Sequence, residues 1–252
     1  MPDQPLTRFR LLVHYDGGAL HGWQVQPDVP TVQGELEAVL KRISGAHRTV
    51  LGSGRTDTGV HATGQVAVAD LPASWSAPRL RAALNGLLPD AIWIEAVEAV
   101  PSGFHPRFDA RARTYRYRLG TSPAAASPFH RRWCWALGET LSWSAVEEAT
   151  ALLVGHHSFR AFAKAGQEER GHRCEVHAAG WEDWPDLGRV FTITANRYLH
   201  HMVRYLVGTL VDVGLDRRPV SDLRTLLDGS DPELVTSPPA PPQGLFLTRV
   251  DY

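Results

Sequence analysis

Residues Gly52 to Gly64 read G-S-G-R-T-D-T-G-V-H-A-T-G. Four glycines, Gly52, Gly54, Gly59 and Gly64, flank one acid, Asp57, with Arg55 two positions before it. Glycine takes φ > 0 without strain and lets another chain approach closely. The stretch is therefore a loop that presents a carboxylate. Such an aspartate is a nucleophile, a base, or a turn residue bonded to its own backbone two positions on. The loop stands between a helix and a strand. Over 31–44, Thr31 can serve as N-cap, and Val32, Leu36, Val39, Leu40 and Ile43 form one apolar stripe. Gln65 to Asp70 reads as a strand with Val66 and Val68 on one face.

Upstream, Arg8 to Tyr15 alternates, with Phe9, Leu11, Val13 and Tyr15 on one face, and a turn follows at Asp16-Gly17-Gly18. Downstream, 78–88 predicts a helix and Ala91 to Val100 a strand. The order expected of the first half is strand–helix–strand–strand–helix–strand, the split βαβ order of a ferredoxin-like unit, with Gln65 to Asp70 as the one patterned strand between the helices. The second half repeats that order less clearly. Arg111 to Gly120 alternates strongly, and Ser144 to Val154 is helical. Cys174 to Trp184 and Arg189 to Ala195 form a hairpin pair. Leu199 to Gly214 is a long helix, with Leu199, Val203, Leu206, Leu210 and Val213 on one face. A short helix is expected near Val220 to Asp228. Thr236 to Gln243 is proline-rich and cannot be regular structure. Gly244 to Tyr252 closes as a strand. The break between halves is expected near Ser102 to His105, giving an N-terminal lobe over 1–104 and a C-terminal lobe over 105–252. The fold class is α+β: two similar ferredoxin-like lobes with mixed or antiparallel sheet and a cleft between them as the natural site.

The 252 residues are enough for a sizeable core, and 43% hydrophobic with 21% charged is ordinary for a globular chain. No apolar run approaches the ~20 residues that span a bilayer. The polar stretch Met1 to Arg10 lacks the apolar region of a signal peptide. Cys134 and Cys174 form no C-x-x-C pair, which fits free thiols in a reducing cytoplasm. Net charge is −1, so charge makes no overall case for nucleic acid. Of the basic residues only Lys41 and Lys164 are lysine. A GC-rich genome explains the bulk of that bias; bidentate phosphate contact is the other reading.

Two further segments carry chemistry. Arg107 to Arg118 reads R-F-D-A-R-A-R-T-Y-R-Y-R. On a strand, Arg111, Arg113, Tyr115 and Tyr117 share one face, with Arg116 and Arg118 on the other. Rings that stack an unpaired base, interleaved with guanidinium groups for phosphates, suit RNA. A charged, solvated edge strand uses the same residues. Asn196 to Gly208 reads N-R-Y-L-H-H-M-V-R-Y-L-V-G. Arg204 stands one position from the apolar stripe, where an unpaired charge is costly. An ionised Asp57 from the other lobe would satisfy it; otherwise Arg204 snorkels at the helix edge. His156-His157 and His200-His201 do not promise a metal site, because neighbours on a helix point about 100° apart. No H-x-x-x-H, G-x-x-x-x-G-K-[ST] or G-x-S-x-G occurs.

Together these segments resemble the tRNA pseudouridine synthase A family, bacterial enzymes acting on the tRNA anticodon stem-loop. The resemblance spans nearly the whole chain. It begins at Tyr15-Asp16-Gly17, Gly22-Trp23-Gln24 and Thr31-Val32-Gln33 and centres on Gly54-Arg55-Thr56-Asp57-Thr58-Gly59-Val60-His61-Ala62. It resumes at Arg113-Thr114-Tyr115-Arg116-Tyr117, Gly155-His156, Phe159 and Asn196 through Arg204, and ends at Pro241-Pro242-Gln243-Gly244-Leu245. It implies that Asp57 is the catalytic aspartate, attacking the target uridine at C1′ of the ribose or C6 of the base. Tyr115 matches the tyrosine that packs on that base and helps remove the C5 proton. Arg204 matches the arginine that pairs with the aspartate, and Arg55 one near the flipped nucleotide. Arg113 and Arg116 are candidate substrate contacts on the basic strand. The resemblance further implies uridines 38, 39 and 40 as targets, no metal or organic cofactor, and a homodimer gripping tRNA. Ser158 stands where the family often has Asp. His172-Arg173-Cys174-Glu175 departs from a threonine-rich pattern.

Two other classes stay in view. Asp57-Thr58-Gly59 is also the aspartic-protease triplet, but the chain has one D-T-G and those sites pair two carboxylates around a shared proton. A non-catalytic tRNA-binding module would need the arginines and rings without Asp57.

Overall fold

The computed structural model describes residues 5–164 and 171–252; Met1 to Gln4 of the polar N-terminal stretch lie outside the described residues. The described residues form an α+β fold that divides into two compact units. The first is residues up to Arg111 together with Phe246–Tyr252, and the second is Ala112–Leu245.

In the first unit the order is β1 (Leu6–Tyr15), α1 (Val32–Ser44), β2 (Leu51–Gly52), β3 (His61–Pro72), α2 (Ala77–Asn85) and β4 (Ile92–Val100). β1 lies between β4 and β3, antiparallel to both. Phe9, Leu11, Val13 and Tyr15 face the core, as the alternation requires. α1 begins as read: the Thr31 hydroxyl accepts the Gly34 N–H at 3.2 Å. It ends at Gly45 with φ 73, whose N–H donates to Lys41 O. Asn85 of α2 covers the outer edge of β4, its Oδ1 accepting from Ile94 N at 2.7 Å and its Nδ2 donating to Ile94 O at 2.9 Å. Pairing fixed from both elements blunts an edge that would otherwise be open. The strand before the glycine loop is only two residues long, so most of that edge of β3 is left open to another strand. The C-terminal strand, β10 (Leu245–Asp251), takes the place, parallel to β3 at Phe246↔His61 and Leu247↔Ala62. A sequence reading groups that strand with its neighbours in the chain, whereas the structure places Phe246–Tyr252 in the first unit.

The second unit contains β5 (Ala112–Gly120), β6 (Trp135–Ala136), α3 (Trp143–Ala151), β7 (Gly155–Ser158), β8 (Arg173–Trp184), β9 (Gly188–Ala195), α4 (Met202–Gly214) and α5 (Ser221–Asp228). β9 pairs antiparallel with β5 and β8, β7 with β8, and β6 runs parallel along the end of β5. Tyr117 and Phe191 are fully buried, and Trp181 of β8 donates its indole N–H to Thr150 of α3 at 2.9 Å. Cys134 and Cys174 are free and buried. Burial pushes the Cys174 thiol up to about 11, so it is not a ready nucleophile.

Two readings are corrected here. α4 starts at Met202 rather than Leu199, because His201 has φ 64 and cannot continue a helix backwards. The expected single stripe on α4 is also too narrow, since Val207, Gly208, Thr209 and Val211 are buried as well. The cause is the proline-rich stretch, which lies on that face. A Cβ on Gly208 would stand 2.1 Å from Pro238 O. Thr209 Oγ1 accepts the Ser237 N–H at 3.3 Å, and Ala240 N–H donates to Arg204 O at 2.9 Å. The stretch is irregular in backbone, as prolines demand, yet fixed. Gly208→Ala forces a methyl group against the Pro238 carbonyl, and overpacking of this kind costs about 1–3 kcal/mol. A urea titration is expected to show a lowered midpoint with an unchanged slope.

Candidate active site

Asp57 occupies a loop whose backbone is held from several directions. Thr56 O accepts the Trp23 N–H at 3.1 Å, and Asp57 O accepts the Val60 N–H at 3.1 Å. The buried Thr56 hydroxyl shares a hydrogen bond of 2.7 Å with Tyr15 OH. Gln65, completely buried, accepts from Ser53 Oγ at 2.7 Å and donates to Gly54 O at 2.9 Å. Two glycines press on the loop. A Cβ on Gly22, which has φ +81, would stand 2.7 Å from Thr56 O. One on Gly17 would stand 2.1 Å from Val60 O. Gly17 N–H also donates to His61 Nδ1 at 3.0 Å, and the His61 ring stacks on Phe246 with centroids 4.7 Å apart.

The segment pressing on the loop is itself tied to α1. Val32 N–H donates to Gly22 O at 3.2 Å and Gln33 N–H to Trp23 O at 3.0 Å. These are among the first N–H groups of a helix, which have no partner inside it. The Trp23 ring fits because residue 52 is glycine, where a Cβ would stand 2.6 Å from the indole. The separate motifs at 15–17, 22–24, 31–33 and 54–62 are thus parts of one hydrogen-bonded assembly. Asp57 is half-buried and Arg55 exposed. Such an assembly fixes the backbone that carries the carboxylate, which favours the positioning that covalent or general-base chemistry needs.

In the second unit, β5 carries Tyr115, 9% exposed. Its ring meets Tyr198 edge-to-face, with centroids 4.8 Å apart. Tyr198 OH lies 3.0 Å from Arg113 O and 2.9 Å from Ile193 O, donating between two carbonyls on adjacent strands. Burial holds the Tyr198 phenol well above its usual range, with the neighbouring Tyr115 adding to this, so it stays a donor. Arg113 donates from Nη1 to Asn196 O at 3.2 Å, and Asn196 Oδ1 accepts the Glu175 N–H at 3.0 Å. Arg116 lies on the other face of β5, ion-paired with Glu182. Arg204 donates from Nε to Ala240 O at 2.7 Å. Tyr117 OH donates to Pro241 O at 2.8 Å, and a Cβ on Gly244 would stand 2.6 Å from the Tyr117 ring. Burial raises the Tyr117 phenol well above its usual value, with the Arg204 charge opposing.

The structure brings Tyr115 and Arg113 together around Tyr198, places Arg116 apart from them with an acidic partner, and holds Arg204 by the proline-rich stretch. His156 and His157 lie on β7 rather than a helix. His200 and His201 precede α4, with ring centroids 4.2 Å apart. Neither doublet lies within a helix, so the angle of about 100° between helical neighbours does not set the direction of these side chains. Tyr198, Asn196, Gln65 and His61 have positions in the site that the sequence reading did not give them. For His61 the signal was available in the quoted motif: a polar residue between Val60 and Ala62 needs a partner. Tyr15→Phe leaves the buried Thr56 hydroxyl without its short partner. A loss of about 1–3 kcal/mol in urea unfolding is expected.

A profile of the family described as tRNA pseudouridine synthase matches residues 11–109 and 149–252. The tRNA pseudouridine synthase A of Geobacillus kaustophilus is 41% identical over 251 residues, covering 97% of this chain and 94% of the relative. Those of Afipia carboxidovorans and Brevibacillus brevis are 39% and 40% identical, each covering 98% of this chain and 100% of the relative. A chain of a solved Cbf5-Nop10-Gar1 complex aligns over 98% of this chain and 58% of that one, at 11% identity and a TM-score of 0.36, too low to bear on the fold. The loop around Asp57, the Tyr115 strand and the Arg204 helix therefore lie in a chain that belongs to the tRNA pseudouridine synthase family.

Proposed function

We propose that the protein isomerises uridine to pseudouridine in tRNA, at positions 38, 39 and 40 of the anticodon stem-loop, with Asp57 as the covalent catalyst. Membership of the family supports the isomerisation. The observation that carries the role of Asp57 is the bracing of its loop by Tyr15, Gly17, Gly22, Trp23 and Gln65, which leaves the carboxylate half-buried on fixed backbone.

The chemistry follows from the balance of atoms. The N1–C1′ bond breaks, the uracil turns, a C5–C1′ bond forms, C5 loses its proton and N1 gains one. A carboxylate that attacks C1′ holds the ribose while the base turns; one that attacks C6 holds the base instead. Both routes need the target nucleotide out of its stack. Tyr115, oriented by Tyr198, is assigned to pack on the base and assist loss of the C5 proton. Arg204 is assigned to pair with the catalytic carboxylate, and Arg55 and Arg113 to contact the substrate. Arg116 is a further candidate, with Glu182 as its competitor.

The reading is tested with tRNA transcripts tritiated at uridine C5, each retaining uridine at one of positions 38, 39 and 40. Release of tritium from each transcript is expected. Binding without release from any tRNA would instead identify a non-catalytic tRNA-binding module. Tyr115→Phe is expected to slow release under saturating tRNA. An unchanged rate would remove the hydroxyl from the chemistry.

A further inference from the structure

From Ala110 to Gly138 the chain carries six arginines and no acid, in a protein whose net charge is −1. The first part of this run is β5. The second part, Thr121 to Gly138, has no place in the site described above. Its tip reads Pro128-Phe129-His130-Arg131-Arg132-Trp133.

This tip is fixed backbone. Ser127 O accepts the N–H groups of His130 at 2.9 Å and Arg131 at 2.8 Å, and His130 O accepts from Trp133 N at 2.8 Å. The loop is pinned at both ends by side chains with no exposure, Ala125 and Cys134. Yet Phe129 is 83% exposed. Arg131 and Arg132 are exposed too. The Arg132 guanidinium lies 5.3 Å from the Trp133 ring centroid, and that of Arg118 lies 5.6 Å from that of Trp184. His130 meets Trp184 edge-on at 6.4 Å. On the adjoining hairpin, Asp183 is 3.0 Å from Arg189, and Glu182 pairs with Arg116. Burial, and then the neighbouring charge of Arg116, lower the pKa of Arg118.

Arginines flanked by rings, with one ring largely exposed on hydrogen-bonded backbone, match an RNA strand better than a protein. Guanidinium groups take phosphates bidentately, and an exposed ring stacks any unpaired base. We propose that Phe129, Arg131 and Arg132, backed by Arg118, Trp133 and Trp184, form an RNA-binding patch of the second unit that grips the tRNA backbone and stacks one unpaired base on Phe129. The proposal rests on the function proposed above, since it takes tRNA as the ligand. The patch sets affinity for the RNA and takes no part in bond breaking.

The test is binding of a tRNA transcript across a salt titration, with oligomeric state followed in parallel. Arg131→Gln with Arg132→Gln is expected to weaken binding and reduce the slope of log Kd against log salt by about 1.5, the share of two phosphates. Phe129→Ala is expected to weaken binding at least about fivefold, and Phe129→Trp to restore it. Arg42→Gln with Arg224→Gln removes two exposed arginines elsewhere and is expected to leave the slope in place. Wild-type affinity and slope in both patch variants would overturn the proposal. So would a change of oligomeric state with unchanged tRNA affinity, which would make the patch a contact between copies. Tritium release by the wild type separates the two readings. If it occurs while the patch variants bind normally, only the patch fails; if it is absent while tRNA binds, the reaction fails and the slope still decides the patch.

Discussion

The carbonyl oxygens of Thr56 and Val60 rest against Gly22 and Gly17 at distances that no side chain allows. This close approach of two backbone segments fixes the Asp57 loop, and much of the first unit is arranged to permit it. The turn after β1 delivers Gly17. The segment leading into α1 delivers Gly22 and Trp23, and their carbonyls accept the first N–H groups of that helix. Gly52 makes room for the Trp23 ring. Each glycine weakens the local chain through lost conformational entropy. Hydrogen bonds and packing around Tyr15, Trp23 and Gln65 offset that loss, so a loop rich in glycine is nonetheless ordered.

The second unit solves the same problem by other means. The proline-rich stretch supplies no regular structure, so it is held by side chains and single carbonyls. Arg204 Nε, Thr209 Oγ1 and Tyr117 OH each bond to it. Arg204 is in this way a structural residue whatever else it does. Its helix is buried nearly all round because the stretch covers the side that an amphipathic reading gives to solvent.

Much of the order of elements was legible in the sequence, for physical reasons. Alternation in β1 and β5 and the capped stripe of α1 are local signals, and they fell where the structure has them. What was not legible depends on distant partners. β2 is two residues long and has no pattern to read. β10 pairs with β3 at the far end of the chain, and a short apolar strand does not say which edge will accept it. The early start given to α4 followed a periodicity that continues through His201, whose positive φ is invisible to periodicity. Among the candidate site residues, Asp57 and Arg204 stood out by residue type and position, and Tyr115 through the resemblance to the family. Gln65 and Tyr198 did not, because their work is to satisfy carbonyls that only the folded chain brings near. The basic tip at Phe129 to Trp133 escaped notice for the opposite reason: its charge is offset elsewhere, and a net charge of −1 conceals it.

The central claim is that the braced Asp57 carboxylate does chemistry and is more than a turn residue. Its most direct test is pseudouridine formation in a single turnover, with Asp57→Asn and wild type each saturated with tRNA. Asparagine keeps the size and the turn-forming hydrogen bonds but removes the nucleophile. The account predicts that Asp57→Asn binds tRNA and stays folded while product falls to background. Product formed at a rate near that of wild type would contradict it and return Asp57 to the role of a turn residue.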